Sequence, residues 1–357
     1  MTNRQILAVL AGLSSLALGV FAVRLFTLQP FALGPDAPEP ATTAARREGQ
    51  LSGPYTYKNL SVYLIHGENA QNGKTPLTLE EAMSRKQVVV HETEDVNELA
   101  IENVSQKDEV YVQAGDIVKG GKQDRFLAVD LIVPAMSGRL PIDSFCVEHG
   151  RWTARGSESS MQFESSTNYA PSKDMKLAAK STRSQTEVWT RVAESQSKLS
   201  AATNTNTASS VSNSSLPLTL ENSRVRSDSA EYVDALADIV ESKPDVIGFL
   251  FAINGEINSA DTYGSGDLFI KLWPKLLKAA AIEAVAESDH AAPPEANVPK
   301  LQMTAIESFF EFAESAAITD KRQITDRILM LTRETKTSAL FESHDRGTLL
   351  HRNYIMK

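Results

Sequence analysis

The sequence predicts an α+β protein, an antiparallel β-sandwich or open sheet packed by helices from the second half, with one N-terminal transmembrane or signal helix. Three observations carry this expectation. Between Tyr55 and Glu148, short apolar-polar segments recur about every 8–12 residues with turn residues between them. From Gln185 onward, several stretches change to helical spacing. An unbroken apolar run, Ile6–Val23, stands at the start of the chain.

The totals set the outer bounds. The chain has 357 residues, 42% hydrophobic and 23% charged, which is ordinary globular composition and enough to bury a sizeable core. Its net charge of -9 argues against general nucleic-acid binding, because phosphate backbones need a basic footprint. A small anion in one local basic pocket stays open. With one cysteine, Cys146, no intrachain disulfide and no four-cysteine metal site is available. No metal site and no cofactor are expected.

Ile6–Val23 lies between Arg4 and Arg24. About 18 residues at ~1.5 Å each just cross the hydrocarbon core. The run reads as a signal-anchor helix or as a signal peptide cleaved near Ala22. Either way the globular part is expected outside the cytoplasm, periplasmic or at the cell surface. Residues 1–28 form this segment. Residues 29–52, with Pro30, Pro35, Pro38 and Pro40, form a semi-extended linker. Residues 53–357 form one domain, with a flexible Ser/Thr/Asn insertion near 200–216.

Tyr55–His66 alternates as a strand. Thr78, with Glu81 three residues on, opens a short helix through a capping box. Gln87–Glu92, Val96–Val104, Glu109–Val118, Phe126–Pro134 and Leu140–Glu148 follow as strands. In the second half, Gln185–Leu199 places Val188, Val192 and Leu199 on one helical face, and Ser229–Ser242 does the same with Tyr232, Leu236 and Ile239. Val246–Ile253 is a fully apolar strand, and Asn254-Gly255 is the strongest hairpin signal in the chain. Leu268–Ala286 reads as a long helix, with Pro274 as its first residue or its kink. Thr304–Ala317 is a further helix. Arg327–Thr332 and Ser338–Tyr354 are strands, the latter turning at Asp345-Arg346-Gly347. His344 and His351 read as solvated or partly buried.

Two strand-turn units hold the unusual chemistry. In Val110–Arg125, Gly120-Gly121 permits positive φ and close approach to a ligand. Lys122, Gln123, Asp124 and Arg125 follow at once, combining backbone donors with cations. In Phe145–Trp152, strand alternation separates Cys146 and Glu148 from His149, which weighs against a metal site. Arg151 and Trp152 close the unit. Cys146 reads as a core residue, since nothing beside it lowers a thiol pKa.

These motifs, with Gln185, Trp189, Asn254 and Gly255, resemble a bacterial family named for association with ADP-ribosylglycohydrolase and rhodanese-phosphatase-superfamily proteins. The similarity spans about Tyr57 to Ala286. It implies a link to NAD or ADP-ribose derivatives and brings no mechanism with it. The expected ligand-binding residues are Gly120, Gly121, Lys122, Gln123, Asp124, Arg125, Glu148, Arg151 and Trp152, forming a pocket for a small anion. Two alternatives are a hydrolase using Asp124 or Glu148 as acid/base, and a structural interaction protein.

Overall fold

The computed structural model describes residues 50–71, 73–93, 95–156, 158–288 and 299–357. The apolar run Ile6–Val23 and nearly all of the proline-rich linker lie outside the described residues. Among the described helices none is long and apolar enough to cross a membrane.

The chain begins with a hairpin, β1 (Leu51–Tyr57) and β2 (Leu60–His66), followed by the two-residue β3 (Leu77–Thr78) and helix α1 (Leu79–Ser84). The Thr78 capping box forms as expected, with Glu81 reaching back to the Thr78 amide at 2.8 Å. Strands β4 (Val88–Glu92), β5 (Glu98–Asn103), β6 (Val110–Val112), β7 (Asp116–Gly120), β8 (Arg125–Leu127), β9 (Leu131–Val133), β10 (Gly138–Cys146) and β11 (Phe163–Tyr169) come next. Helix α2 (Lys173–Leu177) runs directly into a π turn at Ala178–Thr182. Helices α3 (Gln185–Ala202), α4 (Leu216–Leu220) and α5 (Ser223–Leu236) lead to β12 (Val246–Ile253) and β13 (Glu256–Tyr263). Helices α6 (Gly266–Ala286) and α7 (Met303–Ser315) precede the closing strands β14 (Ile318–Gln323), β15 (Ile328–Glu334), β16 (Ser338–Asp345) and β17 (Thr348–Met356).

Three sheets result. The largest has eight strands in the order β1-β2-β12-β13-β17-β16-β15-β14. A six-stranded sheet runs β11-β7-β8-β10-β5-β4, and a small one runs β3-β6-β9. Among the named strand pairs all are antiparallel except β3 with β6. The α+β class therefore holds. The expected division, strands first and helices second, does not. Six of the eight strands in the large sheet, β12 to β17, come from the second half. Two expected strands are each two: Glu109–Val118 breaks at a turn before Asp116, and Phe126–Pro134 breaks before Leu131.

Alternation sorts the core. In β2, Leu60, Val62 and Leu64 enter the main core, while Tyr63 and Ile65 enter a second core under α7. In β12, Phe249 and Phe251 face α6, where Phe249 meets the Trp273 edge at 5.4 Å, and Leu250 faces the other way. Both faces of the strand are covered, which explains its fully apolar sequence. Asn254 and Gly255 take φ of 55° and 83°, the left-handed values of a two-residue hairpin turn. Pro274 neither starts nor ends α6. It lies inside the helix, which begins eight residues earlier at Gly266, capped by Ser265.

Candidate functional site

The two strand-turn units do meet. Gly120 and Gly121 take φ of 105° and 54°, and Arg151 donates to both of their carbonyls at 3.0 Å. Asp124 is fully buried; Oδ1 accepts from the Gly120 amide at 2.9 Å and Oδ2 from Ser215 Oγ at 2.7 Å. Arg155, which no sequence motif marked, clamps both Asp124 oxygens at 2.9 and 3.0 Å. Glu148, also fully buried, accepts from Arg151 at 2.8 Å, from Ser212 Oγ at 2.5 Å and from the Asp124 amide at 3.1 Å. Burial alone would raise the Glu148 pKa; the Arg151 and Ser212 bonds outweigh it and hold the carboxyl below its usual range.

Arg125 is buried at 1% exposure and pairs with Glu92 at 3.2 Å. Its Nη1 donates to Cys146 Sγ at 2.8 Å. Burial pushes the Cys146 thiol up to about 11, against the lowering pull of the Arg125 guanidinium. The Gln123 side chain is buried, and the Lys122 amide donates to Glu92 at 2.9 Å. Trp152 turns outward and is 54% exposed.

Eight of the nine expected residues thus converge on one cluster and Trp152 does not. The convergence has a different character from the open, positive hollow that was expected. Arg125, Arg151 and Arg155 are matched by Glu92, Asp124 and Glu148 inside the protein. Neither of the two cavities described below is lined by any of the nine residues. The arrangement ties β7, β8, β10 and the 151–155 loop together. Both Asp124 oxygens are engaged, which leaves no free carboxylate edge to activate water.

A second polar cluster lies where the large sheet meets the rest of the domain. His351, fully buried on β17, places Nδ1 2.9 Å from Asp130 and Nε2 2.9 Å from Asp261. Two carboxylates can only accept, so both ring nitrogens carry protons. Desolvation works against the charged ring, but Asp130 and Asp261 outweigh it and raise the His351 pKa. Asp130 also accepts from Ser343 Oγ at 2.6 Å and from the Ala114 amide at 2.8 Å. Tyr263 stacks on the imidazole at 4.6 Å. Asn353 donates to Asp261 at 2.9 Å and accepts from Lys180 Nζ at 2.9 Å. His351 is therefore the keystone of a sealed network, not a solvated side chain.

Lys180 connects this network to a cleft of about 310 Å³. The cleft is lined by Lys180 and Arg183 from the π turn, Arg322 from β14, Asp143 and Ser144 from β10, and Gln185 from α3. Arg322 bonds Asp143 at 2.6 Å. The Ser144 hydroxyl is buried and has no hydrogen-bond partner among the described residues. Arg183 caps the π turn at a φ of 49°, a strained value for a non-glycine residue. Gln185 locks α3 to the end of β10, accepting from the Cys146 amide at 2.8 Å and donating to its carbonyl at 2.9 Å. A second cavity, about 230 Å³, lies among α2, α3 and the β12-β13 turn, with mixed charges from Lys173, Arg191, Glu194 and Glu283. Among the described residues no cluster of metal-ligating side chains occurs.

Of the other motif residues, Asn254 borders the second cavity, and Trp189 is half-buried with its ring against His149 at 4.5 Å. The cleft cations lacked any sequence signal: Lys180, Arg183 and Arg322 sit in polar stretches that read as surface.

No curated protein and no solved structure matches the chain. A family model does match, over residues 48–355, which extends the similarity through the last four strands, well past Ala286. That match covers almost the whole described domain, and the chain belongs to the family of the ARG and Rhodanese-Phosphatase-superfamily-associated Protein domain.

Proposed function

We propose that this domain binds a small anion in the cleft between the π turn, β10 and β14. The observation that carries the reading is three basic side chains, Lys180, Arg183 and Arg322, lining one cleft against a single acid, Asp143. The buried Ser144 hydroxyl, without a partner among the described residues, supplies a neutral donor beside them. Charge-assisted donors of this kind suit phosphate or carboxylate groups. A cavity near 310 Å³ sits at the small end of ligand sites, which favours a single phosphorylated sugar or a piece of an ADP-ribose or nucleotide derivative. The expected anion site at Lys122–Arg125 and Arg151 is replaced in this proposal, because its two arginines, Arg125 and Arg151, already face buried carboxylates.

The test is thermal denaturation of residues 50–357 with inorganic phosphate, ribose 5-phosphate and ADP-ribose. A ligand at one hundred times its Kd stabilises by about 2.7 kcal/mol. Unchanged melting with all three, or an equal response from an Arg183→Ala/Arg322→Ala double variant, overturns the proposal. The proposal also places the domain outside the cytoplasm, held by Ile6–Val23. The length of that run supports the tether, and the short charged segment before it supports the orientation. Release of the intact chain from membranes by an alkaline carbonate wash would refute the tether.

A further inference from the structure

Lys180 is the one cleft group whose placement goes beyond holding charge. The sequence delivers it through a π turn, a local widening of the helix that recurs at functional sites. It is 6% exposed, and among the described residues no carboxylate forms an ion pair with it. Its hydrogen-bond acceptor is a neutral amide oxygen, Asn353 Oδ1 at 2.9 Å. The polarity of that amide is set from behind, because Asn353 Nδ2 donates to Asp261 at 2.9 Å. The oxygen must then face Lys180, and a neutral amine donating to it keeps its lone pair free. Desolvation draws the Lys180 pKa down to about 8, against the opposing pull of Asp130 and Asp261. A fraction of the amine is therefore unprotonated near neutral pH, as a lysine nucleophile requires.

We propose that Lys180 is the nucleophilic amine of the cleft and takes a carbonyl-bearing anion, an aldehyde phosphate, as an imine. This rests on the anion-binding reading above and names the substrate class of the same cleft. Nζ leaves Asn353 by rotation about the last side-chain bonds and adds to the carbonyl carbon, forming C–N as the C=O π bond breaks. The carbinolamine then loses the former carbonyl oxygen with the two amine hydrogens as one water, and C=N forms. No oxidant or reductant is consumed. Arg183 and Arg322 hold the phosphate during addition, and Asn353 holds the amine in place beforehand.

The experiment treats the chain with ribose 5-phosphate and sodium borohydride, which reduces an imine to a stable secondary amine. Intact-mass and peptide-mapping spectra then locate the adduct. The expected result is a single dominant adduct on Lys180, at least ten-fold above any other lysine. It rises with pH through about 8 and is suppressed by inorganic phosphate. Lys180→Arg keeps the charge and the donor to Asn353 but cannot form the imine at neutral pH; it loses the adduct while keeping a native melting curve. Labelling that is spread over surface lysines, or is equal in Lys180→Arg, overturns the imine. If phosphate still raises the melting temperature but no Lys180 adduct is trapped, the imine falls and anion binding stands. If phosphate has no effect either, both fall.

Discussion

Replacing Arg155 by Met tests whether the Asp124–Glu148 cluster holds the fold together. The change removes two bonds to Asp124, at 2.9 and 3.0 Å, two to Glu158, at 3.0 and 3.2 Å, and contacts of 3.4 Å each to Glu148 and Ser215. Two carboxylates without solvent exposure then keep, among the described residues, Arg151 as their one cationic partner, 2.7 Å from Glu148 and 3.6 Å from Asp124. Breaking a buried ion pair from one side costs about 3–5 kcal/mol, because the stranded charge keeps its desolvation penalty. Arg151 compensates in part, so the lower end, ~3 kcal/mol, is expected. For a domain of about 300 residues that is a fall of roughly 4–5 °C in melting temperature. Urea denaturation of wild type, Arg155→Met, Asp124→Asn and the double variant gives the coupling energy directly. The double variant should recover much of the loss, since it removes the stranded charge as well. An Arg155→Met midpoint within about 1 °C of wild type, or a coupling energy near zero, would refute the argument.

Further outcomes follow from other parts of the fold. The His351 pKa is raised above its ordinary 6.5, so its contribution is fully present below that pH and is lost as pH rises through the folded value; melting temperature should fall on the alkaline side of 6.5, and His351→Gln should flatten that slope. Asp261 is shifted the other way, its carboxyl lowered from 3.8 by the His351 hydrogen bond and the nearby lysines despite desolvation, so its contribution holds above 3.8 and disappears as pH falls through the folded value. Gly121→Ala should destabilise by about 1–3 kcal/mol, since a residue at φ of 54° is strained and the new Cβ would lie 2.3 Å from the Phe163 ring; an unchanged chemical midpoint would contradict this.

Legibility in the sequence followed the locality of each signal. The Thr78 capping box, the Asn254-Gly255 hairpin and the inner face of α3 are patterns of neighbours along the chain, and each appeared as read. Strands β11 and β14 were missed because FESSTNY and ITDKRQ carry little apolar alternation. Strand β14 is an edge strand, largely exposed, so nothing required it to look apolar. The order of the large sheet depends on pairings such as β2 with β12 and β13 with β17, far apart along the chain, which no local pattern encodes. The meeting of Asp124, Glu148 and Arg151 was legible as a concentration of charge. Its sense was not, because the deciding partners, Arg155 and Glu92, lie outside the motifs. Lys176 and Lys180 illustrate the same limit. Four residues apart in KDMKLAAK, they look like the wet side of an amphipathic helix, yet both are buried against tyrosine and phenylalanine rings.

The place of β17 between β13 and β16 also bears on biosynthesis. Residues 348–356 occupy an interior position of the largest sheet and bring His351 and Asn353 with them. While the ribosome still shields them, β13 has an unfilled edge and Asp130 and Asp261 have no imidazolium between them. Nascent chains stalled before that point should stay protease-sensitive and prone to capture by chaperones, and emergence of residues 348–356 from the ribosome should close the structure in one cooperative step.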